Sequence, residues 1–331
     1  MRRREFIAGL GGAAAWSVGL RPVRAQQPDR VRRIAFLLAL AENDPEAQAR
    51  VAVLRQALAQ LGWTERNVQI EHRFAAGDFA QMQEYAAEVV GSTPDVIVAN
   101  STPALAALKQ ATRTIPIVFA VVNDPVGQGF VASLARPGGN ITGFSFVDFP
   151  LVGKWVEMLT EIAPGVKRIT LMFNPQTAPY YPVFLRDLGG AAATLGAELS
   201  ATPVRDEAEI EAAVSAFAHS TGGGLIAATD PFLNAHRALI IALAEQHRVP
   251  VIYGFQYVVR EGGLISYGPD ALDIVRRSAS YVDRVLRGTR PGELPVQAPI
   301  KFELVINLKT AKALGLTIPR NLLVLADEVI E

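Results

Sequence analysis

From Val31 onward, short apolar runs alternate with longer amphipathic segments along the chain. Such runs are typical of strands buried in a parallel sheet, and the segments between them are typical of the helices that cover it. The pattern predicts strands at Ile34–Leu40, Val68–Phe74, Asp95–Ala99 and Pro116–Val121. It predicts helices at Pro45–Leu61, Phe79–Val90 and Pro103–Ala111. The spacing within the first helix predicts one buried apolar face, formed by Val51, Leu54, Leu58 and Leu61.

The same pattern begins again after Pro164. Val166-Lys-Arg-Ile-Thr-Leu is similar to Val31-Arg-Arg-Ile-Ala-Phe, and Val249-Pro-Val-Ile is similar to Ile115-Pro-Ile-Val. A third match relates residues 223–231 to residues 95–103. In chain order the three matches have offsets of 135, 128 and 134 residues. They predict an α/β protein with two similar, doubly wound (Rossmann-like) lobes.

The chain continues for about 70 residues beyond the second copy. Its pattern predicts a strand at Gly263–Gly268, a helix at Ala271–Arg287 and a strand at Lys301–Asn307. We expect this helix to join the first lobe and the last strand to join the second. The N-terminal lobe would then comprise residues 31–143 and 270–297, and the C-terminal lobe residues 144–269 and 298–331. Three crossings rich in glycine or proline would form a three-strand hinge, near Gly139–Phe146, Ile265–Pro269 and Pro295–Lys301.

Residues 1–25 have the parts of a secretory signal, with a basic start, an apolar run at 8–20 and small residues before a cleavage point. The apolar run is too short to span a bilayer, which needs about 20 residues. Arg3-Arg4 indicates a twin-arginine export signal. We therefore expect cleavage before Gln26 and a periplasmic location. The alternative is an amphipathic N-terminal helix of a cytoplasmic enzyme.

Composition excludes several kinds of site. The chain has no cysteine, which excludes disulfides, thiolate metal sites and cysteine nucleophiles. Its four histidines are scattered, and we expect neither a metal nor a cofactor. Basic and acidic residues number 32 each, so the formal net charge of 0 gives no reason to expect a nucleic-acid partner. No serine lies in a G-x-S-x-G motif, and no Walker loop is present in the sequence.

Short polar residues follow the predicted strands, where doubly wound sheets bind their ligands. The segments at the strand ends are Asn100-Ser-Thr-Pro, Asn123-Asp-Pro, Asn174-Pro, Thr229-Asp-Pro and Tyr253-Gly-Phe, and the first four pair a short polar residue with proline. One interpretation is that these residues cap the following helices, with proline in the first turn. The other is a polar cleft in which helix N-termini hold a carboxylate and Asp124 or Asp230 holds an ammonium, as an amino acid requires. If Asp124 and Asp230 face each other, a paired-carboxylate hydrolase is a further alternative.

Several longer segments resemble the ABC-transporter substrate-binding family that includes the tryptophan- and tyrosine-type binding proteins. They are Thr114-Ile-Pro-Ile-Val-Phe, Asp124-Pro-Val-Gly, Leu134-Ala-Arg-Pro-Gly-Gly-Asn-Ile-Thr-Gly, Tyr253-Gly-Phe, Gly262-Gly-Leu-Ile-Ser-Tyr-Gly-Pro and Lys301-Phe-Glu-Leu-Val-Ile-Asn-Leu-Lys-Thr-Ala-Lys-Ala-Leu-Gly. The resemblance covers nearly the whole chain after the signal. It implies a type I periplasmic-binding fold, a cleft that closes, and delivery of a small solute to an ABC permease in the inner membrane.

The resemblance also implies which residues bind the ligand. Those of the first lobe are Ala41, Asn100, Ser101, Thr102, Asn123 and Asp124. Those of the second lobe are Asn174, Thr229, Asp230, Tyr253 and Phe255, with Tyr267 at the hinge. We expect Ser101 and Thr102, with nearby amides, to bind the carboxylate, and one of the two aspartates to bind the amine. No residue is assigned a catalytic role.

The identity of the ligand stays open at this point. The resemblance favours an aromatic or branched amino acid, whereas the cleft residues are equally compatible with a small aromatic acid or an amide. We expect a monomer, which suits a carrier that must meet its permease. Two alternatives remain: a periplasmic sensor that presents its closed form to a signalling receptor, and an exported enzyme.

Overall fold

The computed structural model describes residues 30–147, 149–217 and 222–331. The predicted signal at residues 1–25 lies outside these ranges. Residues Val31–Glu331 form one compact unit that contains two sheets. Both sheets are built mainly from parallel strands, with helices in the connections between them. The expected α/β fold with two doubly wound lobes is therefore confirmed.

The first sheet has five parallel strands in the order β2-β1-β3-β4-β5. They are β1 (Arg32–Leu38), β2 (Val68–Phe74), β3 (Val96–Asn100), β4 (Ile117–Val122) and β5 (Ile141–Ser145). The four strands predicted in this region are found within two residues of their expected bounds. All residues of β3 and β4 and all but the first two of β1 are buried, since helices cover both faces of the sheet, whereas the edge strand β2 is mostly half-buried.

The second sheet has seven strands in the order β12-β11-β10-β9-β8-β6-β7. They are β6 (Arg168–Phe173), β7 (Glu198–Pro203), β8 (Gly223–Ala227), β9 (Val251–Tyr253), β10 (Ile265–Pro269), β11 (Phe302–Asn307) and β12 (Glu328–Ile330). The order of β7, β6, β8, β9 and β10 repeats that of β2, β1, β3, β4 and β5, as the internal sequence matches predict. Only the pairing of β10 with β11 is antiparallel among the described strands.

Helices connect these strands along the chain. They are α1 (Pro45–Gln60), α2 (Phe79–Gly91), α3 (Thr102–Ala111), α4 (Phe149–Ile162), α5 (Tyr181–Thr194), α6 (Glu207–Ser215), α7 (Pro231–Ala235), α8 (Arg237–His247), α9 (Gln256–Arg260), α10 (Ala271–Leu286), α11 (Leu308–Ala313) and α12 (Arg320–Leu325). Helices α1 and α10 pack together on one face of the first sheet, and α2 and α3 pack together on the other. We call β1–β5 with these four helices the first lobe, and the remaining strands and helices the second lobe.

The chain passes between the lobes three times. It leaves the first sheet after β5, because α4 packs against β8 and β9 of the second sheet. It returns after β10, because α10 packs against α1 and β4. It crosses once more after Gln297, whose backbone N–H donates to the carbonyl of Gly143 (2.9 Å) before the chain enters β11.

Two of the three segments expected as hinge crossings contain strands, one of which lies where the strand Gly263–Gly268 is predicted. Gly139–Phe146 contains β5, and Ile265–Pro269 is β10, so each crossing begins where the strand ends. The expected third segment, Pro295–Lys301, does contain a crossing. The second and third crossings are tied together, since Lys301 Nζ lies 2.8 Å from Asp270 Oδ2. Burial alone would raise the pKa of Asp270, but the hydrogen bond and charge of Lys301, together with the backbone N–H groups of Leu272 and Asp273, outweigh it and the pKa is lowered.

Candidate functional site

A small cavity lies between the lobes, at the carboxyl ends of β1, β3, β4 and β8. We call it the interlobe cavity. It is lined by Ala39, Leu40, Arg50, Asn100, Ser101, Thr102, Val121, Asn123, Phe146, Thr229, Asp230, Pro231, Asn234, Phe255 and Tyr257. About 30 Å³ of it is open to the centres of water-sized molecules, which is room for roughly two waters. The two lobes are therefore closed upon each other.

The first-lobe wall of the cavity carries strained backbone. Ser101 has φ = 130° and Val121 has φ = 61°, both outside the usual range for residues with a Cβ. Val121 is β-branched and lies where the pairing of β4 with β5 changes register. Strain of this kind costs about 1–3 kcal/mol per residue and persists where the surrounding structure holds it in place, often at ligand sites.

Asn123 joins the two lobes across the cavity. Its Nδ2 donates to the hydroxyl oxygens of Tyr180 (2.6 Å) and Thr229 (3.1 Å), which belong to the second lobe. Its Oδ1 accepts the backbone N–H of Val147 (3.0 Å), at the first crossing. The residue is 3% exposed, so these bonds are shielded from water. A single side chain thus holds both walls and the hinge in the closed arrangement.

Asp230 lies on the opposite wall and is fully engaged with its own lobe. Its Oδ2 accepts the backbone N–H of Asn174 (2.5 Å), and its Oδ1 accepts bonds from the Thr177 hydroxyl (2.6 Å) and the Phe232 N–H (2.7 Å). Burial raises the pKa of Asp230 to about 6, although these bonds favour the ionised form. The carboxylate therefore organises the loops after β6 and β8.

Two buried tyrosines of the second lobe, Tyr180 and Tyr181, pack together next to Thr229. The Tyr181 hydroxyl lies 2.7 Å from Thr229 Oγ1 and accepts the Thr229 backbone N–H at 3.0 Å. Tyr180 packs on Tyr181, with ring centroids 4.8 Å apart. Burial raises the pKa of both phenols, so both remain protonated at neutral pH. These rings are part of the core rather than a surface for stacking a ligand.

Arg50 brings a positive charge to the cavity wall. It lies on α1, is 3% exposed, and donates from Nε to Glu46 Oε1 and from Nη1 to Asn100 Oδ1, both at 2.9 Å. Its Nη2 is buried and has no hydrogen-bond partner. Burial alone would lower the pKa of Arg50, but Glu46, Tyr257 and Asp44 together outweigh it and the pKa is raised, so the guanidinium is charged.

Asn234, on α7, faces the cavity from the second lobe. Its Oδ1 accepts the Tyr257 hydroxyl at 2.6 Å, whereas its Nδ2 is buried without a partner. Tyr257 stacks on Phe255 (ring centroids 5.2 Å apart), and Phe255 stacks on Phe146 (5.1 Å). These three rings form an apolar wall beside the two free donors of Arg50 and Asn234.

Seven of the residues expected to bind the ligand line the cavity: Asn100, Ser101, Thr102, Asn123, Thr229, Asp230 and Phe255. Asp124 is absent from the lining, and its carboxylate accepts the Gly127 N–H at 2.9 Å. The facing pair of Asp124 and Asp230 considered above is therefore not formed. Asn174 caps the loop after β6 through a bond from the Gln176 N–H (2.8 Å).

The other expected residues also lie away from the cavity lining. Ala41 is replaced there by its neighbours Ala39 and Leu40. Tyr253 is buried in β9, and burial raises its pKa. Tyr267 lies on β10, where its carbonyl accepts the Trp155 indole N–H at 2.6 Å. Strand-end position alone does not determine whether a side chain turns toward the partner lobe.

Arg50, Asn234 and Phe146 are lining residues that the strand-end pattern misses. For Arg50 the sequence does hold a signal. The buried face of α1 consists of Ala47, Arg50, Leu54, Ala57 and Leu58, so an arginine occupies one position of an apolar stripe. A charge at such a position needs a buried partner or a function. Leu61, which we expected on this face, is 37% exposed at the end of the helix.

The described part of the chain contains neither a cluster of metal ligands nor a helix that could span a membrane. Within residues 30–147, 149–217 and 222–331, no three His, Asp or Glu side chains come together in a way that would hold a metal ion. None of the helices described above is long and apolar enough to cross a membrane.

Known proteins resemble the chain in sequence and in structure. A tyrosine-binding protein of Clostridioides difficile is 28% identical over 262 residues, which cover 79% of this chain and 75% of that protein. A domain from Streptococcus pneumoniae solved in complex with L-Trp is 25% identical, with a TM-score of 0.81, and the match covers 90% of this chain and 99% of that one. These relatives are binding proteins and not enzymes.

A third relative is a substrate-binding protein with adhesive properties from Clostridium difficile, solved in a ligand-free, open form. It is 26% identical, and the match covers 91% of this chain and 99% of that one, but the TM-score is 0.65. At almost equal identity, this chain is thus closer in shape to the L-Trp complex than to the open form. The bonds of Asn123 across the cavity agree with this comparison.

The model of the ABC transporter substrate binding protein family matches residues 38–330. That range contains both sheets apart from most of β1, as well as the interlobe cavity. The two-lobed architecture is that of the type I periplasmic binding proteins. The chain belongs to the ABC transporter substrate-binding protein family.

Proposed function

We propose that this chain is the exported solute-binding component of an ABC importer and that it captures an amino acid, aromatic or branched, in the interlobe cavity. The observation that carries the proposal is the cavity itself, closed between two lobes and lined by charged, amide, hydroxyl and aromatic groups. The relatives named for tyrosine and solved with L-Trp support the ligand class.

The contacts of the cavity support a capture mechanism based on closure. From the first lobe Asn100, Ser101, Thr102 and Asn123 would contact the ligand, and from the second Thr229, Asp230 and Phe255. Because the cavity as described has room for only about two waters, it must widen to admit an amino acid, and a ligand that still touches both walls binds this nearly closed form more tightly than the open one. It therefore shifts the population toward closure by the difference in affinity between the two forms. The closed form would then dock on a permease of the inner membrane, to which a monomeric carrier is suited.

The export step rests on residues 1–25, whose basic start, short apolar run and arginine pair support a cleaved twin-arginine signal. Fractionation of the native host with an antibody to the protein tests this part. We expect the mature form in the periplasm, and replacing Arg3 and Arg4 by lysine should retain the protein in the cytoplasm. Export that continues in this variant would contradict a twin-arginine route.

A thermal-shift and calorimetry screen tests ligand capture. The protein is unfolded and refolded to remove carried ligand, then mixed with tyrosine, tryptophan, phenylalanine, leucine, isoleucine, valine, glucose and galactose. An amino acid present at 100–1,000 times its Kd should stabilise the fold by about 2.7–4.1 kcal/mol. Stabilisation by the sugars alone would overturn the proposed ligand class. No effect of any compound on a folded protein would overturn solute capture from this panel.

Transport is tested separately from binding. Cells that lack the gene should lose uptake of the radiolabelled ligand found in the screen, and the restored gene should return it. Normal uptake in these cells, together with a loss of the transcriptional response to the ligand, would identify the protein as a periplasmic sensor instead.

A further inference from the structure

Two hydrogen-bond donors of the interlobe cavity have no partner. They are Nη2 of Arg50, on α1 of the first lobe, and Nδ2 of Asn234, on α7 of the second. Both residues line the cavity and are more than nine-tenths buried. A buried donor without an acceptor destabilises the fold, and a charged donor does so more strongly. Two such donors at one cavity indicate that a ligand supplies the acceptors.

We propose that Arg50 Nη2 and Asn234 Nδ2 together bind a carboxylate of the ligand, one from each lobe. This inference rests on the proposed function and names the group by which the ligand is held. A carboxylate has only acceptor oxygens, and two of them can serve two donors at once. The bond to Arg50 is charge-assisted and for that reason about twice as strong as one between neutral groups.

The hydrogen-bond partners of Arg50 fix the orientation of its side chain. Glu46 and Asn100 hold Nε and Nη1, which fixes the guanidinium plane and leaves Nη2 as the free corner. The ring of Phe255 lies against the same group, 5.7 Å from its central carbon to the ring centroid. The donor is therefore preorganised, and little side-chain entropy is lost when an acceptor arrives.

The N-terminus of α3, which we expected to hold the carboxylate, has few N–H groups to offer. Pro103 has none, the Ala104 N–H donates to Ser101 Oγ (3.3 Å), and the Leu105 N–H donates to the Ser101 carbonyl (3.1 Å). The unpartnered buried donors among the residues that line the cavity are instead Arg50 Nη2 and Asn234 Nδ2. The carboxylate site is thus assigned to side chains of α1 and α7.

Two substitutions of similar side-chain size test the assignment. Arg50→Lys keeps the charge but lacks the fork that reaches Glu46, Asn100 and a ligand together. Asn234→Asp keeps the oxygen that accepts the Tyr257 hydroxyl and replaces the free donor by a second acceptor. Calorimetry with L-tyrosine, L-tryptophan and L-leucine should show binding weakened about 10- to 100-fold in each variant.

A matched control and a double variant make the result specific. Arg55→Lys, at an exposed position of the same helix, should leave affinity within about twofold of the unchanged protein. Because both donors would hold one carboxylate, the double variant should lose less affinity than the product of the two single losses. Circular dichroism and thermal unfolding without ligand establish that each variant is folded.

The outcomes separate this inference from the proposed function. If the unchanged protein binds an amino acid and both folded variants bind it within twofold, the carboxylate assignment is wrong and solute capture stands. If tyramine or tryptamine binds as tightly as the amino acid, the carboxylate is not the group held, and the assignment is again wrong. If no carboxylate in the panel binds the unchanged protein, both proposals fail.

Discussion

Asp230 is a buried acid whose protonation makes a testable contribution to stability. Its pKa is raised from 3.8 in the unfolded reference to about 6 in the fold, so the folded state holds the proton more tightly. The resulting stabilisation is fully present below about pH 3.8 and is lost as the pH rises through about 6. The difference in pKa corresponds to about 3 kcal/mol.

Urea unfolding of the unchanged protein and of Asp230→Asn measures this contribution between pH 4 and 7. The variant lacks the titrating group, so the stability of the unchanged protein relative to it should fall as the pH rises. The same substitution at Asp206, an exposed N-cap of α6, corrects for the loss of a capping carboxylate. A difference that stays constant across this range would show that Asp230 does not titrate there.

Short polar residues at strand ends illustrate what a sequence reveals at the scale of one residue. Ser101, Asp124, Asn174 and Asp230 each accept a backbone N–H from two or three residues further along the chain. This capping depends on neighbours in sequence and is therefore predictable. Which of the four also face the cavity depends on how the lobes meet, and only Ser101 and Asp230 do.

At the scale of an element, β5 depends on one glycine. Gly143 has φ = 156°, and a Cβ at this position would lie 2.1 Å from the carbonyl oxygen of Phe119 on β4. Gly143→Ala must therefore push β5 away from β4 and disturb the contact of Gly143 with Gln297 at the third crossing. We expect the free energy of unfolding to fall by roughly 3 kcal/mol.

Chemical denaturation of Gly143→Ala beside Gly91→Ala tests this prediction. Gly91 ends α2, and a Cβ there meets no atom within 4 Å, so alanine should be neutral or stabilise by up to about 1 kcal/mol. Equal stability of Gly143→Ala and the unchanged protein would mean that β5 shifts without cost.

The elements that the pattern predicts well are those whose burial follows a local period. The predicted helix Ala271–Arg287 is only one residue too long, and its buried positions Ile274, Val275, Ser278 and Val282 recur at helical spacing. β7 (Glu198–Pro203) is an edge strand with mostly exposed residues, so it leaves no apolar run to detect. β5 is rich in glycine, threonine and serine, which is why its sequence resembles a hinge. The pairing that makes it a strand is supplied by β4.

At the scale of the whole molecule, the repeat predicts the order of the strands but not the state of the cleft. Nearly equal offsets between matching segments predict two lobes of one topology, which the two sheets have. Closure depends on contacts between residues far apart in sequence, such as the hydrogen bonds from Asn123 to Tyr180 and Thr229. These contacts have no local signature. A ligand that enters the cavity must also compete with these hydrogen bonds.

One ion pair connects the two lobes, and its removal tests what holds them closed. Arg237 of the second lobe donates from Nη1 to Asp44 Oδ2 of the first (2.7 Å), and both side chains are largely buried. Arg237 also pairs with Glu261 of its own lobe (2.6 Å). Asp44 caps α1 by accepting the Glu46 N–H at 2.9 Å. Asp44→Asn therefore removes the ionic bond across the cleft, while an asparagine cap remains and Arg237 keeps a partner.

We expect Asp44→Asn to favour the open form and so to weaken ligand binding, since only the closed fraction contacts the ligand from both lobes. A loss of about 1–2 kcal/mol from the closed state would lower affinity about 5- to 30-fold, and small-angle scattering of the ligand-free variant should give a larger radius of gyration. Asp78→Asn is the control, because Asp78 caps α2 in the same way through the Gln81 N–H. If both variants keep the affinity and the radius of the unchanged protein, the pair of Asp44 and Arg237 does not stabilise the closed form, and closure must depend on Asn123 and on the ligand itself.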